Sequence, residues 1–162
     1  MWGADVETPV GRLRVVCDDA SLLGVYFPGH VPPPRYAAPD GTHPLLEEAA
    51  DQLQQWCRGD RRSFDLPVVV SGTDLQVSVW HALREIPYGE STSYGALAQR
   101  LGRPGSARAV GAAVGRNPLS IVIPCHRVVG SDGRLAGFAG GVERKRWLLD
   151  HESGVGSLFG PR

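Results

Sequence analysis

The stretch Asn117-Pro118-Leu119-Ser120-Ile121-Val122-Ile123-Pro124-Cys125-His126-Arg127-Val128-Val129-Gly130 holds the densest set of reactive side chains in the chain. A cysteine stands between a proline and a histidine, with an arginine next, inside an apolar run. A buried cysteine is commonly a small core residue, and a Cys-His dipeptide alone says little. Three features add to it. Pro118 and Pro124 bracket the run, which makes it a shaped loop and not a plain strand. Two potential cations follow the thiol. His151-Glu152, at the end of the last helical segment, offers a carboxylate to orient His126. The thiolate is the nucleophilic form of cysteine, and its pKa falls beside histidine or arginine. Neighbouring side chains in an extended loop point to different sides, so a water would carry the proton from Cys125 to His126. Glu152 would hold the imidazole tautomer, as the third member of a triad does. Asn117 precedes a proline, where extended backbone is favoured, and its side chain can tie this loop to the helix before it.

Short helices surround this loop. Leu75, Val79, Ala82 and Leu83 form one apolar stripe, capped by Thr73 or Asp74 and ended by Ile86-Pro87-Tyr88-Gly89. Ser91-Thr92-Ser93 can cap a second helix with Tyr94, Leu97, Ala98 and Leu101 on one face. Gly102-Arg103-Pro104-Gly105 is a turn, and residues 106–116 read as a third helix. Helix, glycine-containing turn, helix is the helix-turn-helix pattern. The candidate recognition helix is built of small residues (Ala107, Ala109, Gly111, Ala112, Ala113), with Arg108 alone standing up from its first turn. Such a face packs against a neighbouring helix or lets a ligand approach the backbone. The last helix runs through 143–152. Residues 1–70 read differently. Leu13, Val15 and Cys17 alternate in a strand, SLLGVYF is a second, and a hairpin joins them. Six prolines in residues 28–44 mark a loop, residues 45–57 a helix stopped by Gly59, and residues 63–70 an extended piece.

Composition sets outer bounds. The chain has 162 residues, 42% of them apolar and 21% charged, which suits one ordinary domain or two small ones. No apolar run approaches the roughly 20 residues of a membrane span, and the N-terminus lacks a basic, apolar leader, so the cytoplasm is the expected compartment. Cys17, Cys57 and Cys125 are too few for a disulfide framework, and no local metal-ligand spacing is present. Net charge is zero, but residues 1–71 hold 6 Arg against 10 Asp and Glu, and residues 72–162 hold 11 Lys and Arg against 7. A basic half is consistent with a polyanionic partner or with a solvated face.

The motif IPCHRVV resembles the active-site signature of the O6-alkylguanine-DNA alkyltransferases, or methylated-DNA–protein-cysteine methyltransferases. VWHAL, IPYGESTSYGALA, ARAVGAAVGRNP and GFAGGVERKRWLLDHE follow the family's order and spacing. The resemblance is close over residues 73–152 and loose over 1–70. It implies a direct-reversal DNA-repair protein that transfers an alkyl group from O6 of guanine to Cys125, once. It further implies that His126, through water, and Glu152 generate the thiolate. Tyr94 would support nucleotide flipping and give a proton to the departing guanine, and Asn117 would be a hinge. Arg108 would fill the gap left in the duplex, with Gly95, Arg103 and Ser131 on the DNA backbone. Phe138, Ala139, Gly140 and Ser120 would form the substrate pocket. Phe138 stands where tyrosine is common, and Ser120 replaces a proline of some members.

The expected fold is α+β. A small N-terminal ribonuclease-H-like α/β domain (1–70) precedes a C-terminal helical, winged-helix-like domain with the helix-turn-helix (72–155), followed by a tail (156–162). The expected partner is double-stranded DNA carrying O6-alkylguanine, entered from the minor groove with the target base flipped out. No cofactor, metal or membrane is expected. A monomer is expected, with cooperativity on DNA left open. A non-catalytic alkyltransferase-like damage-binding protein is the main rival, and Cys125 speaks against it because such proteins lack that cysteine. A cysteine hydrolase would have no use for the helix-turn-helix, and a plain transcription factor would need base-reading side chains on residues 106–116.

Overall fold

The computed structural model describes residues 1–135 and 138–154; the expected tail at 156–162 lies outside them. The first half is a three-stranded antiparallel sheet in the order β1 (Trp2–Thr8), β2 (Gly11–Cys17), β3 (Leu22–Tyr26). Strands β2 and β3 coincide with the two expected from alternation. Strand β1 was not expected and adds a second hairpin, closed at Thr8 and Gly11, where Gly11 takes φ 111°. Helix α1 (Pro44–Cys57) packs on β1 and β2 through Leu46, Ala49, Leu53 and Trp56. Its N-cap is His43, whose ring nitrogen accepts from the Leu45 amide at 3.1 Å, and Pro44 starts the first turn, where no amide is needed.

The piece expected to be extended at 63–70 does not become a strand. It is hydrogen-bonded to β3 at Leu22, which donates to Pro67 O at 2.8 Å and accepts from Val69 at 3.2 Å. Pro67 has no amide hydrogen to extend a ladder. The Pro-rich 28–44 loop is irregular but tied to the sheet. Gly3 donates to Pro39 O at 2.9 Å, Gly41 to Gly3 O at 3.1 Å, and Arg14 Nη2 to Ala38 O at 2.8 Å.

The second half contains α2 (Asp74–Leu83), α3 (Tyr94–Arg100), α4 (Ala107–Gly115) and α5 (Val142–Ser153), close to the expected ranges. Thr73 and Gln76 form a reciprocal capping box at the start of α2, and Ser93 caps α3. Gly102 and Gly105 take φ 71° and 84° in the turn between α3 and α4, which only glycine adopts cheaply. Trp80 Nε1 donates to Ala113 O at 2.9 Å and fixes α2 against α4. A short parallel pair joins β4 (Thr92–Ser93) to β5 (Val128–Val129), so the start of α3 lies beside the end of the Cys125 loop.

One apolar core runs through both halves. It takes Leu13, Val25, Leu53 and Trp56 from the first and Val79, Leu97, Val110, Leu119 and Leu148 from the second. Cys17 is fully buried in it, and Cys57 packs against it. Among the described residues no helix is long and apolar enough to cross a membrane.

Candidate active site

The loop between α4 and β5 is shaped by its own backbone. Val122 donates to Ser120 O at 2.8 Å around Ile121, which holds φ 72°. A β-branched residue rarely adopts that sign of φ, and such strain gathers at functional loops. Cys125 donates to Ile123 O at 2.8 Å around Pro124, a second three-residue turn. Asn117 holds the loop closed. It is 1% exposed, its Nδ2 donates to Ile123 O at 2.8 Å, and its Oδ1 accepts from the Leu119 amide at 3.0 Å. Its own amide donates to Val114 O at the end of α4, so the tie to the helix runs through the backbone and not, as expected, through the side chain, which braces the loop itself.

Cys125, His126 and Arg127 form a single 3-10 turn, not the extended chain expected from the sequence. Bracketing by Pro124 and the turn at Ile121 shortens the path. All three side chains are buried. His126 Nε2 lies 3.0 Å from Glu152 Oε2. The ring N–H is not aligned on that oxygen, so the contact is electrostatic and not a directed hydrogen bond. His126 Nδ1 is buried without a partner among the described residues. Trp56, from α1, meets the His126 ring edge-on at 6.1 Å between centroids.

Arg127 does not serve as a cation for the thiol. It faces Glu152 with a bidentate pair, Nε to Oε1 at 2.9 Å and Nη2 to Oε2 at 2.6 Å, and its Nη1 donates to Ile86 O at 2.6 Å. Glu152 therefore serves two partners. The close His126 contact and the Arg127 hydrogen bonds outweigh burial and pull its carboxyl down to about 2. The cation that does act on Cys125 is Lys145, which sequence reading passed over. It is 1% exposed, and its Nζ donates to Tyr94 Oη at 3.4 Å. Its charge favours the Cys125 thiolate, and that thiolate in turn favours its charge. Lys145, Leu148 and Glu152 are the buried residues of α5 and lie at i, i+3 and i+7, one helical face. That spacing was the available signal.

Burial dominates the titrations. It pushes the Cys125 thiol up, against the opposing pull of the Asn117 hydrogen bond and the Lys145 charge. It pushes His126 down, despite Glu152. It raises the Tyr94 phenol, with the nearby Cys125 adding to the rise. At neutral pH the site is a thiol beside a neutral imidazole, a nucleophile with its base and not a standing thiolate. The expectation of a thiol pKa lowered by both neighbouring cations is corrected by this burial and by the turn of Arg127 toward Glu152.

Of the other expected site residues, Arg108, Gly95, Arg103 and Ser131 are exposed. Gly95 and Ser131 leave the paired ends of β4 and β5. Residues 91–131 contain no Asp or Glu. The exposed Arg103, Arg108 and Arg116 form no ion pair among the described residues. On α4 the small residues divide. Gly111 faces Tyr94, where a Cβ would stand 3.4 Å from Cδ1, and Ala113 is core, but Ala109 and Ala112 are exposed beside Arg108. Ala139 and Gly140 are buried and Phe138 half-buried. Ser120 is fully enclosed, its amide donating to Val25 O at 3.2 Å, with its hydroxyl lacking a partner among the described residues.

Fold and site thus define a protein that holds one enclosed cysteine, with a histidine–carboxylate pair, beside an arginine-bearing helical unit. Comparison with known proteins makes the class specific. Residues 74–154 match the family described as 6-O-methylguanine DNA methyltransferase, DNA binding domain. The chain is 52% identical over 149 residues to the methylated-DNA–protein-cysteine methyltransferase of Mycobacterium tuberculosis, covering 91% of this chain and 89% of that one. It is 40% identical over 155 residues to the protein of the same name from Methanosarcina acetivorans, covering 94% and 98%. The crystal structure of Mycobacterium tuberculosis OGT in complex with DNA superposes with a TM-score of 0.88 at 39% identity, covering 95% of this chain and 94% of that one. The chain belongs to the methylated-DNA–protein-cysteine methyltransferase family.

Proposed function

We propose that this protein repairs DNA by direct reversal, moving an alkyl group from O6 of guanine to the sulfur of Cys125. The observation that carries the reading is the enclosed Cys125 thiol within one turn of a neutral His126 that is backed by the ionised Glu152. His126 takes the thiol proton, and its Nδ1, without a partner among the described residues, is the atom available to a bridging water. Glu152 stabilises the imidazolium that forms, with Arg127 holding the carboxylate in place. The sulfur attacks the alkyl carbon, the carbon–O6 bond breaks, and the electron pair stays with guanine. A proton from Tyr94, set beside Lys145, neutralises the departing base. The product is a thioether, which has no good leaving group, so each molecule acts once. A base inside a duplex cannot reach a buried sulfur, so the nucleotide must be extruded, at a cost of a few kcal/mol. The exposed Ala109–Ala112 stripe of the α3–α4 helix-turn-helix suits close approach to the minor groove, and Arg108 suits the space the base leaves. Gly95, Arg103 and Ser131 would meet phosphates, and Phe138, Ala139, Gly140 and Ser120 would wall the pocket. The reaction belongs to the cytoplasm and uses no cofactor.

The test is intact mass after incubation with a duplex carrying one O6-methylguanine, beside a Cys125→Ala control. A gain of one methyl group at equal stoichiometry, absent from the control, is the expected result. Tight lesion binding with no mass change would mean a damage-flagging protein instead.

A further inference from the structure

The segment that walls the proposed pocket is fastened from behind by the N-terminal half. Phe27, just after β3, is 3% exposed and meets Phe138 edge-on, centroids 5.5 Å apart at 60°. A Cβ on Gly140 would stand 2.6 Å from Phe27 Cδ2 and 3.0 Å from Phe138 Cε2, so the glycine is there because Phe27 fills the space. The Val31 amide donates to Ala139 O at 3.2 Å. Arg144, on the first turn of α5, closes the arrangement. Its guanidinium lies over the Phe27 ring, 5.8 Å from the centroid. Its Nε donates to Val10 O in the β1–β2 turn at 2.6 Å, and its Nη1 to Gly140 O at 3.1 Å. One planar fork thus grips a carbonyl from each half of the chain, which a lysine's single ammonium on a flexible stem does less well.

We propose that Phe27 and Arg144 are positioning residues that clamp the Phe138–Gly140 wall across the two halves of the chain and so set the largest alkyl group that Cys125 accepts. The inference rests on the alkyl-transfer reading above. The contacts of Phe27 and Arg144 run to Phe138 and Gly140, so the clamp acts through the wall. With the Phe27 ring shortened, Phe138 can retreat into the freed space and a bulky group fits. A methyl group then sits less firmly against the sulfur, and small misplacements are costly in rate.

The experiment compares transfer rates from duplexes carrying O6-methylguanine and O6-benzylguanine, read by intact mass, for the natural protein, Phe27→Leu, Arg144→Leu and Arg144→Lys. In Phe27→Leu and Arg144→Leu the benzyl-to-methyl rate ratio is expected to rise about tenfold, the scale on which a pocket discriminates small changes in apolar bulk. Arg144→Lys, which keeps the charge near Phe27, should recover part of the original ratio. A ratio that stays constant while both rates fall together would make the clamp merely structural and overturn the proposal. Arg144→Lys answers the question even if the leucine variants fail to fold, since an unchanged ratio there, with methyl transfer slowed, also overturns it. Failure of the natural protein to take up methyl would instead overturn the transfer reading itself.

Discussion

At the residue scale, the site depends on which charges are enclosed together. Arg127 and Lys145 divide the work that the sequence order seemed to give to His126 and Arg127. Arg127 keeps Glu152 ionised, and Lys145 supplies the positive potential near sulfur and phenol. Burial disfavours the Lys145 charge, the Cys125 thiolate favours it, and the ammonium lies over the Tyr94 ring. A buried cation this close to the sulfur and the phenol is placed to act on charge that develops there. Lys145→Met should slow methyl transfer on the order of a hundredfold, the low end of the range for removing one preorganised electrostatic partner of developing charge. The midpoint of thermal unfolding should fall little, because an apolar chain of similar length replaces a desolvated ammonium. Single-turnover rates and a melting curve on the same sample check this. A large loss of stability with an unchanged rate would make Lys145 a packing residue only.

At the element scale, α4 shows why its composition was ambiguous. Two of its small residues serve packing and two face out, and no one-dimensional count separates them. If the outward stripe beside Arg108 enters DNA, then Arg108→Ala should slow transfer from a duplex tenfold or more, about 1.4 kcal/mol or above. It should leave the reaction with free O6-benzylguanine base unchanged, since no duplex must be opened. Parallel loss on both substrates would remove Arg108 from any role in flipping. The helices around the site were legible because their apolar stripes and caps are local; the Thr73–Gln76 box and the Ser93 cap can be read directly. So were Asn117, Cys125 and His126, which lie close together in the chain, and Glu152 as the carboxylate that ends the last helical segment. Strand β1 was not, since Gly3 and Ala4 blur its alternation and its pairing with β2 is its main support. The 3-10 turn at Cys125 was not, because it follows from the conformation of Ile121 and not from any residue's preference. Lys145 was hidden in a run of charges that reads as solvated, although only its neighbours Glu143 and Arg146 are exposed.

At the scale of the whole molecule, Glu152 is where distant segments meet. It sits on α5, grips Arg127 in the active-site loop, and through that arginine reaches Ile86 O in the turn after α2. One residue earlier, the ring of His151 stacks on Trp147 and lies 2.7 Å from Trp56 O at the end of α1. Glu152 thus joins three segments of the second half, while His151 beside it reaches α1 in the first. Its folded pKa, about 2, lies below its ordinary 4.5. For a depressed carboxyl the linked stability is fully present above the unfolded value and is lost as pH falls through the folded one. Urea unfolding midpoints should therefore decline between about pH 4.5 and 2. Glu152→Gln cannot titrate, so its profile should be flatter over that window, though lower at pH 7 because Arg127 is left buried without a countercharge, on the order of 3–5 kcal/mol. The two profiles should converge as pH falls to 2 and below, where the natural carboxyl is itself taking up its proton. Parallel profiles, with the same slope in both proteins, would show that acid lability comes from other carboxylates and that Glu152 matters to the reaction without holding the fold together.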